Sequence, residues 1–135
     1  MNIISIPSSE TTPTVTLNHN THTLTFEGES RPENVSAFYT QIFEWIEAYD
    51  KYLYFITERS ANKIKINCEF KLEYFNSSSA KKILDIITSL INIKKHNDKV
   101  ELIILWNYEE EDEDMLDSGK EFEKMLQYPF VYSAL

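Results

Sequence analysis

The chain is predicted to be an α/β domain: a mixed sheet opened by an N-terminal β-hairpin, with helices packed on the sheet. Three observations lead there. Its 135 residues are 42% hydrophobic and 13% aromatic, enough to bury one core at the size of one domain. Apolar residues recur with period two in Lys63–Tyr74 and at helical spacing in Val35–Tyr49. Strand-like and helix-like segments then alternate in the order β-β-α-β-α-β-α, the pattern of parallel strands joined by right-handed crossovers.

Residues 1–11 are polar and rich in serine and threonine, and are expected to form a flexible tail, leaving 12–135 as the domain. Thr14-Val15-Thr16-Leu17 and Thr21-His22-Thr23-Leu24-Thr25-Phe26 alternate around Asn18-His19-Asn20. Threonine suits the wet face of a half-buried strand and asparagine suits a turn, so this is a hairpin. Gly28 permits a sharp turn within Glu27–Glu33. The helix that follows has two candidate starts, Ser30-x-x-Glu33 as a capping box or Asn34 as N-cap. Val35, Phe38, Tyr39, Ile42, Trp45, Ile46 and Tyr49 make its single apolar stripe.

Ile64, Ile66, Cys68, Phe70, Leu72 and Tyr74 alternate with Lys63, Lys65, Asn67, Glu69, Lys71 and Glu73, which predicts one buried and one wet face. Cys68 falls in the buried register and reads as an inert small hydrophobe, not a nucleophile. A second helix is expected over roughly residues 78–95, with Ala80, Ile83, Leu84, Ile87, Leu90 and Ile91 inward and Lys94 and Lys95 complementing its C-terminal dipole. Val100–Trp106 is almost continuously apolar and is expected to be a strand covered on both faces. Asp117–Gln127 reads as a short third helix with Phe122 and Met125 on its apolar side, and Tyr128–Tyr132 docks back as a strand or cap.

Charge narrows the function. The 22 acids exceed the 13 bases, for a net charge of −9 and a pI near 4.8. Such a field repels phosphate backbones and anionic lipid, so no nucleic acid and no membrane insertion are expected, and a partner should be neutral or basic where it touches. Two glycines, Gly28 and Gly119, cannot build a GxGxxG or Walker A loop, and one cysteine excludes a disulfide framework and cysteine-rich zinc sites. The longest strongly apolar run, Leu102–Trp106, is far short of the roughly 20 residues that span a bilayer. The opening MNIISIPSSE has neither the basic nor the apolar region of a signal peptide. A cytoplasmic monomer without cofactor or metal is expected.

The most informative segment is Asn76-Ser77-Ser78-Ser79, where strand meets helix. One hydroxyl can cap the helix while the others favour the turn. Lys81 and Lys82, however, occupy the first helical turn, where cations oppose the macrodipole. A phosphate on one of the serines would reverse that logic, facing the helix N-terminus with lysines in reach. The acidic run Glu109–Asp114, after Tyr108, fails the EF-hand pattern: Leu116 and Asp117 stand where a ligand and the glycine belong. It reads as a docking patch for a basic partner. His19, His22 and His96 have no nucleophile at a telling spacing, and Glu27, Glu29 and Glu33 flank a turn where acids are common.

Three segments together, Glu27–Asn34, Leu72–Ser79 and Trp106-Asn107-Tyr108 with Glu113-Asp114-Met115, resemble the SiaC family of bacterial regulatory phosphoproteins. The resemblance runs over residues 12–131 and implies a STAS-like domain, similar to anti-sigma-factor antagonists. It implies a partner-switching regulator without catalysis of its own, acting in cyclic di-GMP signalling and biofilm control. A Ser/Thr kinase of the histidine-kinase-type ATPase fold would phosphorylate one hydroxyl at the junction, and a PP2C-type phosphatase would remove it. The unmodified form would bind and activate an effector, a diguanylate cyclase. By position the phosphoacceptor is Ser77, and the partner surface is Asn76, Ser77, Ser78, Ser79, Lys81, Lys82, Tyr108, Glu113 and Asp114. Glu29 departs from the basic residue expected between the glycine and serine of the first segment. Alternative readings are an anti-sigma-factor antagonist and a small hydrolase using Ser77 with Glu29 or Glu33.

Overall fold

A computed structural model describes all residues, 1–135. In chain order the elements are β1 (Ile4–Ile6), β2 (Thr14–Asn18), β3 (Thr23–Ser30), α1 (Val35–Glu58), β4 (Ile64–Phe75), α2 (Ser77–His96), β5 (Val100–Tyr108), α3 (Glu113–Leu126) and β6 (Phe130–Ala134). The six strands form one sheet in sequence order. β1, β2 and β3 are antiparallel neighbours, whereas β3, β4, β5 and β6 run parallel, each pair joined by one helix. Right-handed crossovers that advance one strand at a time place every helix on the same face.

Cross-strand rows show which face is dry. Leu17, Leu24, Cys68, Ile104 and Phe130 lie side by side, as do Val15, Phe26, Phe70 and Trp106. All are buried, under Tyr39, Ile42, Trp45, Ile46, Tyr49 and Leu53 of α1 and Ile83, Ile86, Ile87 and Leu90 of α2. The opposite face pairs Glu27 with Lys71 and Lys65 with Glu101, and is polar across β2, β3 and β4. Burial pushes the Cys68 thiol pKa well up, in keeping with an inert core position.

Several expectations change. Residues 4–6, placed in a flexible tail, pair with β2 as an edge strand, and the Trp45 indole donates to the Asn2 carbonyl at 2.8 Å. Asn34 caps α1, its side chain accepting from the Ala37 amide, while Ser30 of the alternative capping box ends β3 and is fully buried. Gly28, at φ 114°, precedes a bulge after which Glu29 faces Tyr74 and not Glu73. The extra β4 residue shifts the alternation, so Tyr74, predicted inward, is 48% exposed and Phe75 turns toward the core. β5 is not covered on both faces: Glu101 is exposed, and Ile103 and Leu105 are half-buried on the open face. Its continuous apolar run reflects a place between two parallel neighbours, not a second layer.

α3 begins four residues earlier than expected, at Glu113, because Asp112 caps it and two acids fill its first turn. Met125, expected on its packing side, is exposed; Met115, Gly119 and Phe122 face inward. Trp106 sets the seat of this helix. Its indole N–H donates to the Met115 carbonyl at 2.9 Å, and a Cβ on Gly119 would come within 2.6 Å of the ring.

Candidate functional site

β3, β4 and β5 end at the same edge of the molecule, and α1, α2 and α3 begin there, each capped by an Asx side chain: Asn34, Asn76 and Asp112. The carboxyl ends of parallel strands are where open α/β sheets place ligands and partners. The β4-to-α2 junction lies between the other two.

Here Asn76 caps α2, so the capping oxygen is an amide and not a serine hydroxyl. Its Oδ1 accepts from the Ser79 amide at 2.9 Å, and its own amide donates to the Ser30 carbonyl at 3.1 Å. The cap frees Ser77 and Ser78 at the first two helical positions; both are exposed, and no intramolecular hydrogen bond occupies either hydroxyl. Ser79, expected on the partner surface, is instead fully buried, with its Oγ 2.8 Å from Ser30 Oγ. One helical turn exposes residues 77 and 78 and turns 79 inward, which a run of identical polar residues hides. The first turn of α2 holds no acid. Lys81 is exposed, and Lys82, half-buried, lies 5.9 Å from the Phe43 ring centroid; neither forms an ion pair.

The neighbouring junction supplies the acidic part. Tyr108 is half-buried, its carbonyl accepting from the Leu135 amide at 2.9 Å. Glu113 and Asp114 are exposed in the first turn of α3. A groove of about 340 Å³ lies between the end of β4 and the start of α3, with Glu73, Tyr74 and Phe75 on one wall and Asp112, Asp114, Met115 and Ser118 on the other. Asp114 thus faces the end of β4 that leads into the serine junction, whereas neither Glu113 nor Asn76–Ser79 lines the groove.

The hydrolase alternative calls for a base on Ser77. Glu29 is paired with Arg31 at 3.5 Å, Glu33 is exposed, and neither hydrogen-bonds to Ser77. His19 and His22 sit at the hairpin turn at the opposite end of the sheet, and His96 bonds to the Asn92 carbonyl at the far end of α2. Sequence reasoning missed the groove residues Tyr74, Met115 and Ser118, and also Ser30 and Tyr39 beneath the junction. Tyr39 had one usable signal: a phenol in a buried helical stripe needs a hydrogen-bonding partner.

The model of the SiaC family regulatory phosphoprotein matches residues 6–135. The chain belongs to the SiaC family. It is 25% identical over 134 residues to an uncharacterized protein of Pseudomonas aeruginosa (strain UCBPP-PA14), covering 99% of this chain and 98% of that one. In fold it is similar to apo-SiaC from Pseudomonas aeruginosa, with a TM-score of 0.81, 22% identity, and 99% and 100% of the two chains covered. A chain in the crystal structure of the diguanylate cyclase SiaD in complex with its activator SiaC, from the same organism, matches with a TM-score of 0.81 and 23% identity over 98% and 99%. The mixed six-stranded sheet with three helices is therefore the SiaC fold, and the family is one of regulatory phosphoproteins.

Proposed function

We propose that this SiaC-family chain is a phosphorylation-gated partner switch without catalysis of its own. Unmodified, it binds and activates a diguanylate cyclase in the cytoplasm; a phosphate on Ser77 releases that effector. A Ser/Thr kinase of the histidine-kinase-type ATPase fold adds the phosphate and a PP2C-type phosphatase removes it. One observation supports this most: Ser77 offers a free, exposed hydroxyl at the first position of a helix that lacks first-turn acids and places Lys81 one turn on. A phosphoryl group of roughly −1.5 to −2 charge meets the positive end of the helix there.

Release follows from charge and bulk. The chain already carries −9, and further negative charge on the edge where α3 begins with Glu113 and Asp114 disfavours contact with any acidic or apolar partner surface. A penalty of ~1–3 kcal/mol lowers affinity about 5–150-fold without refolding. The test has two arms. Incubation with the kinase and ATP should add one phosphate, seen by intact mass and absent from Ser77→Ala. Affinity for the cyclase, and cyclic di-GMP synthesis, should survive in Ser77→Ala and fall on phosphorylation. Cyclase binding indifferent to the phosphate refutes the switch. Recovery of a sigma-factor regulator in place of a cyclase reassigns the effector.

A further inference from the structure

Beneath the exposed serines runs a closed set of hydrogen bonds that packing alone does not require. Ser30 is fully buried at the end of β3, Ser79 fully buried in α2, and Tyr39 only 1% exposed in α1. The Tyr39 hydroxyl lies 2.7 Å from Ser30 Oγ, and Ser30 Oγ donates to Ser79 Oγ at 2.8 Å. Ser30 also grips the other side of the turn, its carbonyl accepting from the Asn76 amide at 3.1 Å. The Asn76 side chain closes the ring by accepting from the Ser79 amide at 2.9 Å. One residue of β3 therefore holds both residue 76 and residue 79. The two residues spanned, Ser77 and Ser78, are the exposed ones. Three hydroxyls from three elements, in a core built mostly of aromatic and aliphatic side chains, are a costly way to fill space.

We propose that Ser30 and Tyr39 are positioning residues for phosphorylation: they hold Ser79 out of reach and fix the turn so that Ser77 is the serine modified. This rests on the reading of Ser77 as acceptor. Tyr39 and Ser30 touch neither kinase nor ATP; they act through Ser79 and the backbone of Asn76. Losing one buried hydrogen bond loosens the turn without removing the acceptor. The rate at Ser77 then falls by about tenfold for each ~1.4 kcal/mol of lost positioning.

The experiment uses the full chain, ATP and a Ser/Thr kinase of the histidine-kinase-type ATPase fold from the same genome, with the phosphate located by tandem mass spectrometry. Wild type should carry one phosphate, on Ser77. Tyr39→Phe and Ser30→Ala should be modified about tenfold more slowly at Ser77, with phosphate appearing on Ser78 or Ser79, and Ser30→Thr should restore the wild-type pattern. A purely structural role would lower the melting temperature without redistributing phosphate. If both variants keep the wild-type rate and the single site, the inference is overturned while the acceptor reading stands. If wild type takes no phosphate on Ser77, both fall. Should Ser30→Ala fail to fold, Tyr39→Phe, which removes one oxygen, decides.

Discussion

Replacing Ser77 by aspartate should make the protein more stable and its switch weaker at once. α2 begins at residue 77 and has no acid in its first turn. A carboxylate at this position meets the positive end of a 20-residue helix, an interaction of ~0.3–1 kcal/mol. It also stands four residues before Lys81, the favourable order for a helical ion pair, adding ~0.2–0.5 kcal/mol. Together these give ~0.5–1.5 kcal/mol, or a rise of about 2–6 °C in melting temperature for a domain of this size. Calorimetry of wild type, Ser77→Asp and the uncharged Ser77→Asn at low salt reads the effect. At ~1 M salt the Debye length is ~3 Å and the gain should shrink. In parallel, cyclase affinity should drop about 5–150-fold. Stability up with binding down rules out loss of function through unfolding. An aspartate variant no more stable than Ser77→Asn at low salt would refute the helix-terminus argument, and one that binds cyclase like wild type would refute gating.

Other consequences are simpler to read. Asn76→Ala removes the α2 cap and orphans the Ser79 amide, for a loss of about 1 kcal/mol, seen as a lower urea midpoint with an unchanged slope. Gly119→Ala gains ~1 kcal/mol of helix propensity but forces a methyl against Trp106, an overpacking cost of ~1–3 kcal/mol. A net loss of stability and an altered near-ultraviolet signal from Trp106 are expected, and a net gain would show that the indole slides freely. His22, bonded through Nδ1 to the Tyr49 hydroxyl at 2.6 Å, has its pKa held below the ordinary 6.5 by burial and, secondarily, by His19. The folded state then binds fewer protons than the unfolded one below that pH. Stability should therefore fall as pH drops from 7 toward 5, and His22→Gln should flatten that slope in melts across the range.

Much of this architecture was legible because the core is written in strong periods. The helical stripe of α1 and the alternation of β4 each had only one way to bury their apolar residues, and those two elements position the serine junction. Where the reading failed, one residue or one neighbour decided. A single extra residue in β4 exchanged Tyr74 for Phe75 at the edge of the site. The acids after Tyr108 read as a docking patch, yet Asp112 caps α3 and Glu113 and Asp114 fill its first turn, where negative charge is stabilising. Ser79 could not be told from Ser77 and Ser78 by type; only the facing hydroxyl of Ser30, distant in sequence, makes its burial tolerable.

β1 has a consequence for handling the chain. Three residues of it cover the outer side of β2, and the Asn2 carbonyl anchors them to Trp45. A chain trimmed of its first six residues would keep β2 paired with β3 but leave its outer edge open, a ready template for another molecule's strand. Concentration-dependent clumping of such a shortened protein is the expected result, so the short segment that sequence reading places in a flexible tail acts as a selvedge for the sheet.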